Sequence, residues 1–487
     1  MKQTTSDAAL LGLALERSDA EPLHVQLAQG LRERILAGRI TPGAKLPSSR
    51  QFASELGVSR VTIVTAIDQL VSEGYAEGRH GSGVYVSADL PEEVLQAAPV
   101  VSEISLDDPL PPPAAMRPFQ PAAPDLDLFP HADWAKLMER VWRAPERRLL
   151  ANADPLGWGP LRVAIARHLN QWRGINCSPH QIIVTSGAAE AIDLLARAIL
   201  KNGDRVFMEE PGYRILRRSL VLAGLSPVPV PIDQNGFDIE HAQTITADAK
   251  AVVVTPSRQY PLGMTMPLAR RLELIGWARQ TGGLIIEDDY DSEYRYQGRP
   301  LPAMMGLEES AGHVVYVGSF SKVMWPSLRI GFMAVPQNLA AQIAEVLRAS
   351  APRASMVVQP VLARFMEEGS LATHIRKMRR TYGRRQQVLI DAVEQHLDGL
   401  LRVEPAPAGM HLIANLSPAL AERMDDAEAS CRATEAGVTA IALSLFYDGD
   451  ATRQGLVLGY AGFEGTAIDA AARKLRIALT NCCLLYT

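Results

Sequence analysis

The sequence predicts a small domain of three helices and a β-hairpin, followed by a large α/β domain with a mostly parallel sheet. Three observations predict this fold class. Residues 22–87 contain three stretches of helical apolar spacing and then two short strands around glycines. A proline-rich segment interrupts the pattern at 88–125. Short apolar runs then alternate with helical stretches over roughly 350 residues, as in parallel sheets that are covered on both faces.

Length and composition indicate a multidomain globular protein. The 487 residues are 47% hydrophobic and 21% charged, which is enough for at least one large core. The formal net charge of -5 excludes a global attraction to polyanions, so nucleic-acid binding requires a local basic patch. Residues 22–87 hold seven Lys and Arg against five Asp and Glu, a local excess of roughly +2.

Cysteine usage and hydropathy exclude several other classes. Four cysteines are too few and too scattered for a disulfide framework, and no pair has metal-ligand spacing with histidines, so no metal site is expected. A reducing cytoplasm fits this usage. The N-terminal residues lack a basic segment followed by an apolar core, and no run approaches the roughly 18 apolar residues of a membrane span. Neither export nor membrane insertion is expected.

The first domain, residues 20–87, has the element order of a winged helix-turn-helix. Apolar residues in 22–37 recur at helical spacing. Ser48 can cap a second short helix that Gly57 ends, and Ser59 opens a third helix at 60–74. The stretch GYAEGRHGSGVYV then forms two strands around a glycine-rich tip.

The stretch LPSSRQFASELGVSRVTIVTAIDQLVSEGYAEGRHGSGVYV resembles the N-terminal domain of the GntR family of bacterial regulators. The resemblance implies a double-stranded DNA operator as partner, with base and phosphate contacts from the second helix, the start of the recognition helix and the wing tip. The residues so assigned are Arg50, Ser59, Arg60, Thr62, His80 and Gly81. A protein-docking module with solvated arginines is the alternative.

The linker at 88–125 is rich in proline and in acidic residues, with Arg117 as its one basic side chain. Proline at this density prevents helix or sheet and favours an extended spacer. The acidic charges repel one another and are expected to keep the segment off DNA.

Lys322 is the candidate cofactor lysine of the large domain, residues 126–480. It follows the apolar strand HVVYVGS, and ligands gather at the carboxyl ends of strands in open α/β sheets. A Schiff base requires a partly desolvated lysine whose amine can be neutral. Ser319, Ser321 and Arg329 are donors suited to a phosphate monoester.

Two further strand ends carry matching groups. GLIIEDDYDSEYRY places Asp288 where a carboxylate can pair with a protonated pyridine nitrogen, and Tyr290 on the same side can donate to the phenolate oxygen. IIVTSGAAEAI runs from a strand into a helix and offers backbone N–H groups to phosphate. These N–H groups belong to Gly187, Ala188 and Ala189, and Tyr213 can stack on the pyridine face.

The combination resembles the fold-type I aminotransferases that use pyridoxal 5'-phosphate (PLP). The fusion of both domains resembles the MocR subfamily of GntR regulators from about Glu21 to Leu475. The resemblance implies PLP as cofactor and a small α+β subdomain from about Gly369 onward. Tyr260 and Pro261 stand where aminotransferases have an asparagine and proline pair, so Gln259 or Tyr260 is expected to substitute in the phenolate contact.

Two other positions bear on ligand binding. Aminotransferases usually have an aromatic residue just before a Gly-Asp-Pro turn, and Asn152 stands at that position here. The expected phosphate contact from a partner subunit is therefore weakened. Arg453 is the candidate for gripping an effector carboxylate, with a plain surface arginine as the alternative.

The function expected from this combination is a transcription regulator that senses PLP or an amino compound and alters operator binding. Fold-type I sites lie at subunit interfaces, so a homodimer is expected. A working aminotransferase with an accessory domain remains open, because the lysine, aspartate and tyrosine are retained. A scaffold that binds neither ligand is a third possibility.

Overall fold

The computed structural model describes eight stretches of the chain and divides it into two compact units, Met1–Pro113 and Ala114–Thr487. The described stretches are 15–16, 21–79, 81–90, 116–151, 154–298, 302–310, 312–350 and 353–480. The predicted wing-tip residue His80, most of the linker, Asn152 and the last seven residues lie outside them.

The first unit has the predicted winged helix-turn-helix order. Its helices and strands are α1 Leu23–Leu36, α2 Ser49–Leu56, α3 Arg60–Ser72, β1 Ala76–Arg79 and β2 Gly83–Val86. The strands pair antiparallel, with Ala76 opposite Val86. The Ser48 and Ser59 side chains accept hydrogen bonds from the first turns of α2 and α3, and Gly57 ends α2 at a φ of 61°. These are the caps that the sequence predicts, and the predicted fold class is confirmed.

The core of the first unit forms where the three helices meet. Leu27, Leu31, Phe52, Ile63 and Leu70 are fully buried. Each such side chain contributes about 1.5 to 3 kcal/mol of burial free energy, which allows this small unit to hold its helices together.

The second unit is built on a seven-stranded sheet in the order β3-β9-β8-β7-β6-β4-β5. Only β9 runs antiparallel to its neighbours, so the sheet is mostly parallel, as predicted. The strands are β3 Ile182–Thr185, β4 Arg205–Glu210, β5 Ser226–Pro231, β6 Ala251–Val254, β7 Leu284–Asp289, β8 Val314–Ser319 and β9 Gly331–Ala334.

Helices cover both faces of this sheet. Val206 and Met208 of β4 pack in one apolar cluster, and Phe207 packs in a second cluster on the other face. This alternation follows the two-residue period of a strand. The helices from α4 to α12 are His131–Arg143, Arg147–Leu150, Gly159–Arg173, Ala188–Ala198, Arg214–Leu222, Ile239–Ile245, Leu268–Thr281, Gln337–Ala349 and Gln359–Glu367.

The predicted C-terminal subdomain is an antiparallel sheet in the order β10-β11-β13-β12 with four helices. Its strands are β10 Leu401–Val403, β11 His411–Leu416, β12 Ile441–Ala442 and β13 Gly455–Gly459. Its helices are α13 Ser370–Leu397, α14 Pro418–Ala421, α15 Asp426–Glu435 and α16 Gly465–Thr480. Within the described residues, none of the helices combines the length and apolar character that a membrane crossing requires.

The last ten residues of the predicted linker, 116–125, belong to the second unit and pack against its C-terminal part. Phe119 is fully buried and bridges to Gly459. The Asp125 carboxylate lies 2.7 Å from the Arg385 guanidinium, and both groups are buried. An apolar ring and a paired carboxylate therefore attach this stretch, which its proline content alone does not reveal.

Candidate functional site

The sheet brings the predicted cofactor residues to one edge. Asp288 at the end of β7 lies opposite Val317 of β8, and Lys322 follows β8 by three residues. Farther along the same edge, Ser319 lies opposite Gly331, and Gly331 lies opposite Thr185 at the end of β3. Parallel strands therefore deliver the lysine and the carboxylate to one site.

Lys322 lies partly buried near carboxyl groups. Burial lowers the pKa of its amine, against the charges of Asp291 and Asp288, which raise it. The Lys322 carbonyl accepts a hydrogen bond of 3.1 Å from the Tyr294 hydroxyl, which holds the backbone of the turn. A desolvated amine on a fixed backbone is what covalent bonding to an aldehyde requires.

Asp288 is 8% exposed. Burial raises its pKa to about 7, the nearby carboxyls of Asp289 and Glu209 act in the same direction, and Lys322 opposes them. Among the described residues Asp288 makes no ion pair and only the charge of Lys322 opposes its burial, so the protonated nitrogen of a pyridine ring suits this carboxyl.

The candidate phosphate site lies at the N-terminus of α7. Gly187 precedes the helix at a φ of 137°, and a side chain there would meet open space. The first N–H groups of a helix have no partner within it, so those of Ala188 and Ala189 suit an anion. A Cβ on Gly331 would lie 2.9 Å from the Gly187 Cα, so a glycine at 331 lets the two strands bring this turn close to Ser319.

The other predicted phosphate donors flank this turn. The Ser321 N–H donates to the Ser319 hydroxyl over 3.2 Å, which fixes the small loop before Lys322. Arg329 is exposed and has a left-handed backbone with a φ of 53°. The backbone cradle, two hydroxyls and one guanidinium fit a phosphate monoester, and the donor set as a whole fits PLP.

The predicted tyrosines lie together. The Tyr260 ring centroid is 5.4 Å from that of Tyr213 and 5.3 Å from that of Tyr290. Gln259 is engaged elsewhere, because its amide nitrogen donates to the Pro211 carbonyl over 2.8 Å and its amide oxygen accepts from the Leu262 N–H over 2.9 Å. Of the two substitutes for the phenolate contact, Tyr260 therefore keeps the freer side chain.

Arg258 is a site residue that the sequence analysis misses. It is 4% exposed, and its guanidinium donates to the Tyr290 hydroxyl over 3.0 Å and to the His411 carbonyl over 2.8 Å. A third donation runs to the Ala408 carbonyl over 3.1 Å. The signal was an arginine shortly after the buried strand AVVV, between two prolines, where a solvated side chain is the ordinary expectation.

Glu209 and Asp291 are also missed. The Glu209 carboxyl accepts from the Thr255 hydroxyl over 2.5 Å, and burial raises the pKa of Glu209 to about 7 against that hydrogen bond. Burial raises the pKa of Asp291 to about 7, although Arg258 opposes the shift. Both lie at strand ends, at the sheet edge that the sequence identifies for Asp288.

Arg453 lies at the surface. It is exposed, and it donates to the Asn415 amide oxygen over 3.3 Å. It lines an open cavity of about 390 Å³ together with Pro211, Leu262 and Tyr447. The cavity borders the residues next to Gln259 and Tyr260, but Arg453 does not enter the buried group around Lys322.

Three of the predicted DNA-contact residues, Ser59, Arg60 and Thr62, lie at the start of α3. The Ser59 hydroxyl accepts from the Thr62 N–H over 3.1 Å, and the Arg60 guanidinium donates to the Ser49 hydroxyl over 3.1 Å. Arg50 is exposed on α2. Gly81 has a φ of 69° beside the hairpin tip and would accept no ordinary side chain without strain.

Two apolar residues on α3 complete this surface and escape the sequence analysis. Val61 is 73% exposed and Val64 is 40% exposed, while Ile63 between them is buried. Exposed aliphatic side chains on a recognition helix can contact thymine methyl groups. The sequence does indicate this exposure, because the helical period of α3 places Val61 and Val64 away from the side of the helix that Ile63 buries.

Family models match both units. The model of bacterial regulatory proteins of the GntR family matches residues 23–86, and the model of aminotransferase class I and II matches residues 127–451. The chain is 39% identical to the probable rhizopine catabolism regulatory protein MocR of Rhizobium meliloti, over 96% of this chain and 95% of that one. It is 32% identical to the HTH-type pyridoxine biosynthesis transcriptional regulator PdxR of Corynebacterium glutamicum, over 93% and 95%.

Solved structures agree on the fold of the second unit. The α-aminoadipate aminotransferase LysN of Thermus thermophilus has a TM-score of 0.66 at 25% identity, and covers 75% of this chain and 92% of its own. The kynurenine aminotransferase of Pyrococcus horikoshii has a TM-score of 0.66 at 24% identity, over 75% and 91%.

Proposed function

The chain belongs to the MocR-type regulators of the GntR family, and on that premise we propose that PLP held by Lys322, or an amino compound that reacts with it, is the signal that alters operator binding. The chain is a DNA-binding transcription regulator, and PLP is the expected cofactor of its aminotransferase class I and II domain. The residues that hold PLP, the chemical class of the effector and the change in DNA binding are proposed below.

The observation that carries the proposal is the partly buried Lys322 at the sheet edge that Asp288 also reaches. Bound PLP supplies an aldehyde carbon that bonds a primary amine, and a protonated ring nitrogen that attracts electrons. Burial lowers the pKa of Lys322 and so favours the neutral amine. The Asp288 carboxylate holds the proton on the ring nitrogen.

The remaining residues orient the cofactor. Tyr290 takes a hydrogen bond from Arg258, which leaves its own proton free to donate to the phenolate oxygen. Tyr213 would stack on the pyridine ring, and Tyr260 packs against both Tyr213 and Tyr290. The donors that would hold the phosphate at the N-terminus of α7 are those of Gly187, Ala188, Ala189, Ser319, Ser321 and Arg329.

The signal is either PLP itself or an amino compound that takes the place of the Lys322 amine. Release of Lys322 changes the contacts around Asp288 and Asp291. Because Arg258 connects Tyr290 with His411 of the C-terminal subdomain, that subdomain is the part that responds. In a homodimer the response alters the spacing of two DNA-binding units, and sedimentation of the PLP-loaded protein tests the dimer.

The test is a titration of PLP-loaded protein with candidate amines, followed by absorption and by DNA binding in the same samples. We expect one class of amine to change the visible spectrum and the DNA affinity at the same concentration. The proposal is wrong if DNA affinity is the same with and without PLP, and also stays constant with every amine that changes the spectrum.

An active aminotransferase is the second candidate, because the chain retains Lys322, Asp288 and Tyr290, the residues that the resemblance to aminotransferases assigns to transamination. The regulator names of the relatives do not favour it. Turnover with pyruvate or 2-oxoglutarate at ordinary enzyme rates would support it. A sensor instead stops after amine binding and releases no oxo acid.

A further inference from the structure

Helix α13 carries a row of exposed cations, the basic stripe, which consists of Arg376, Lys377, Arg380 and Arg384. Arg376, Arg380 and Arg384 are spaced four residues apart, so they lie on one side of the helix. With a rise of about 1.5 Å per residue, the three guanidinium groups span about 12 Å along the axis.

A groove of about 760 Å³ runs beside the basic stripe. Its described lining consists of cations and uncharged residues, without a carboxylate, and includes Tyr296, Thr381 and Gln387. Arg379 forms its inner wall, where it donates to the Glu293 carbonyl over 2.9 Å and lies over the Trp172 ring.

The basic stripe lacks the ion pairs that several other exposed arginines make. In the described part of the second unit, Arg140, Arg143 and Arg148 each contact a carboxylate. None of the four stripe residues has an ion pair among the described residues. Neighbouring cations without carboxylate partners leave a concentrated positive field at one surface of a chain whose formal net charge is -5.

We propose that the basic stripe binds the phosphate backbone of duplex DNA and so adds a sequence-independent contact to the one made by the winged helix-turn-helix. The proposal rests on DNA binding by the chain. In the first unit, two of the seven Lys and Arg of residues 22–87 are engaged in ion pairs, Arg32 with Glu73 and Arg79 with Glu77. Phosphate contacts from the second unit would add to those of the remaining cations and raise the affinity for DNA.

The dimensions of the basic stripe fit a duplex better than a small anion. Duplex DNA presents one negative charge per about 1.7 Å of axis, so a row of about 12 Å faces several phosphates at once. Guanidinium groups bind phosphate oxygens in pairs of hydrogen bonds, and three of the four stripe residues are arginines.

The experiment compares full-length, PLP-loaded proteins on a duplex of about 60 base pairs of arbitrary sequence, with affinity measured from about 50 to 200 mM salt. The test variant is Arg376→Gln, Arg380→Gln and Arg384→Gln combined. The control is Arg402→Gln, Arg423→Gln and Lys474→Gln combined, which removes the same charge from exposed positions of the C-terminal subdomain. Circular dichroism and visible absorption establish that both variants keep their fold and cofactor.

We expect the slope of log affinity against log salt to become shallower by about 2 to 3 in the test variant, because each lost phosphate contact removes about 0.9. Binding near 0.15 M salt should weaken on the order of ten- to a hundred-fold, and the control should follow the wild type. An unchanged slope overturns the proposal. So does tighter binding, which would mean that an acidic part of the protein occupies the basic stripe. If the wild-type protein binds none of the DNA duplexes, the assignment of the chain as a DNA-binding regulator is wrong as well.

Discussion

The guanidinium of Arg258 donates to the hydroxyl of Tyr290 over 3.0 Å. Tyr290 follows β7 of the large sheet, and the same guanidinium donates to the carbonyl of His411, the first residue of β11. One buried cation therefore ties the candidate cofactor site to the C-terminal subdomain. Breaking such a buried network leaves groups without partners, which costs far more than breaking a pair at the surface.

Gly409→Ala tests this connection. A Cβ at 409 would lie 2.2 Å from the Arg258 guanidinium carbon, so the arginine must leave its place. We expect the free energy of unfolding to fall by about 3 kcal/mol or more. PLP affinity should fall as well, because Tyr290 loses its hydrogen bond. Denaturant unfolding and a PLP titration measure the two effects.

Gly399→Ala is the matched control for backbone strain. Gly399 also has a positive φ, at 76°, but a Cβ there meets nothing within 4 Å. Gly399→Ala should lower the free energy of unfolding by only about 1 to 2 kcal/mol and leave PLP affinity unchanged. If the two variants lose the same stability and the same affinity, the role assigned to Arg258 is wrong.

Glu209 makes the stability of the cofactor-free protein depend on pH. Burial raises its pKa from 4.5 to about 7, so the folded state keeps a proton that the unfolded state releases in that window. The free energy of unfolding should therefore fall as pH rises from about 4.5 to 7, by up to about 1.4 kcal/mol per pH unit for this group.

Glu209→Gln should make this pH dependence shallower, because the amide does not titrate. Asp288 and Asp291, whose pKa values burial also raises to about 7, keep part of the slope. Urea midpoints between pH 5 and pH 7 give the slope. The exposed Glu309→Gln should retain the wild-type profile. If the free energy of unfolding of Glu209→Gln falls with pH as steeply as that of the wild type, the role given to Glu209 is wrong.

Much of this site could be predicted because strand ends are visible in the sequence. Lys322 and Asp288 each follow a run of buried apolar residues, and the parallel sheet then brings them to one edge. Arg258 could not be predicted in the same way. Its burial depends on Gly409 and His411, at the start of β11 in the C-terminal subdomain, a separation of 153 residues for His411.

Phosphate binding should depend on the close approach of two glycines. In Gly331→Ala the new methyl group would lie 2.9 Å from the Gly187 Cα and from the Gly318 carbonyl oxygen, so the turn before α7 must shift. We expect PLP affinity to fall at least about ten-fold, which corresponds to about 1.4 kcal/mol. Gly276→Ala in α10 meets nothing within 4 Å and should bind PLP normally. Equal affinities for the two variants would remove this turn from the site.

DNA recognition should depend on Arg60. Arg60→Ala should weaken specific operator binding by about 1 to 3 kcal/mol at fixed salt. Val61→Ala should relax discrimination at a thymine, because it removes an exposed apolar contact. The exposed Arg39→Ala, which follows α1, is the charge-matched control. Gel shifts in which Arg60→Ala and Arg39→Ala behave alike would contradict the assignment of the recognition helix.

For the DNA-binding surface of α2 and α3, the sequence predicts the helix caps, but it predicts only some of the exposed side chains that could contact DNA. Ser48, Gly57 and Ser59 set the helix ends through local hydrogen bonds and a left-handed residue, which a sequence displays directly. The exposure of Val61 follows from how α3 packs on the other helices, so it emerges only when the core is assembled. Arg453 lies at the surface, as one of its two sequence-based alternatives has it, and its role in effector binding stays a prediction.

The most direct test of the central claim is to locate the covalent bond of the cofactor. PLP-loaded protein is reduced with borohydride, digested and mapped by mass spectrometry, alongside Lys322→Ala and the exposed control Lys250→Ala. We predict a phosphopyridoxyl adduct on the peptide containing Lys322, and loss of both adduct and visible absorption in Lys322→Ala alone, with circular dichroism unchanged. A Lys322→Ala protein that keeps its colour, or an adduct found only on another lysine, would contradict the account.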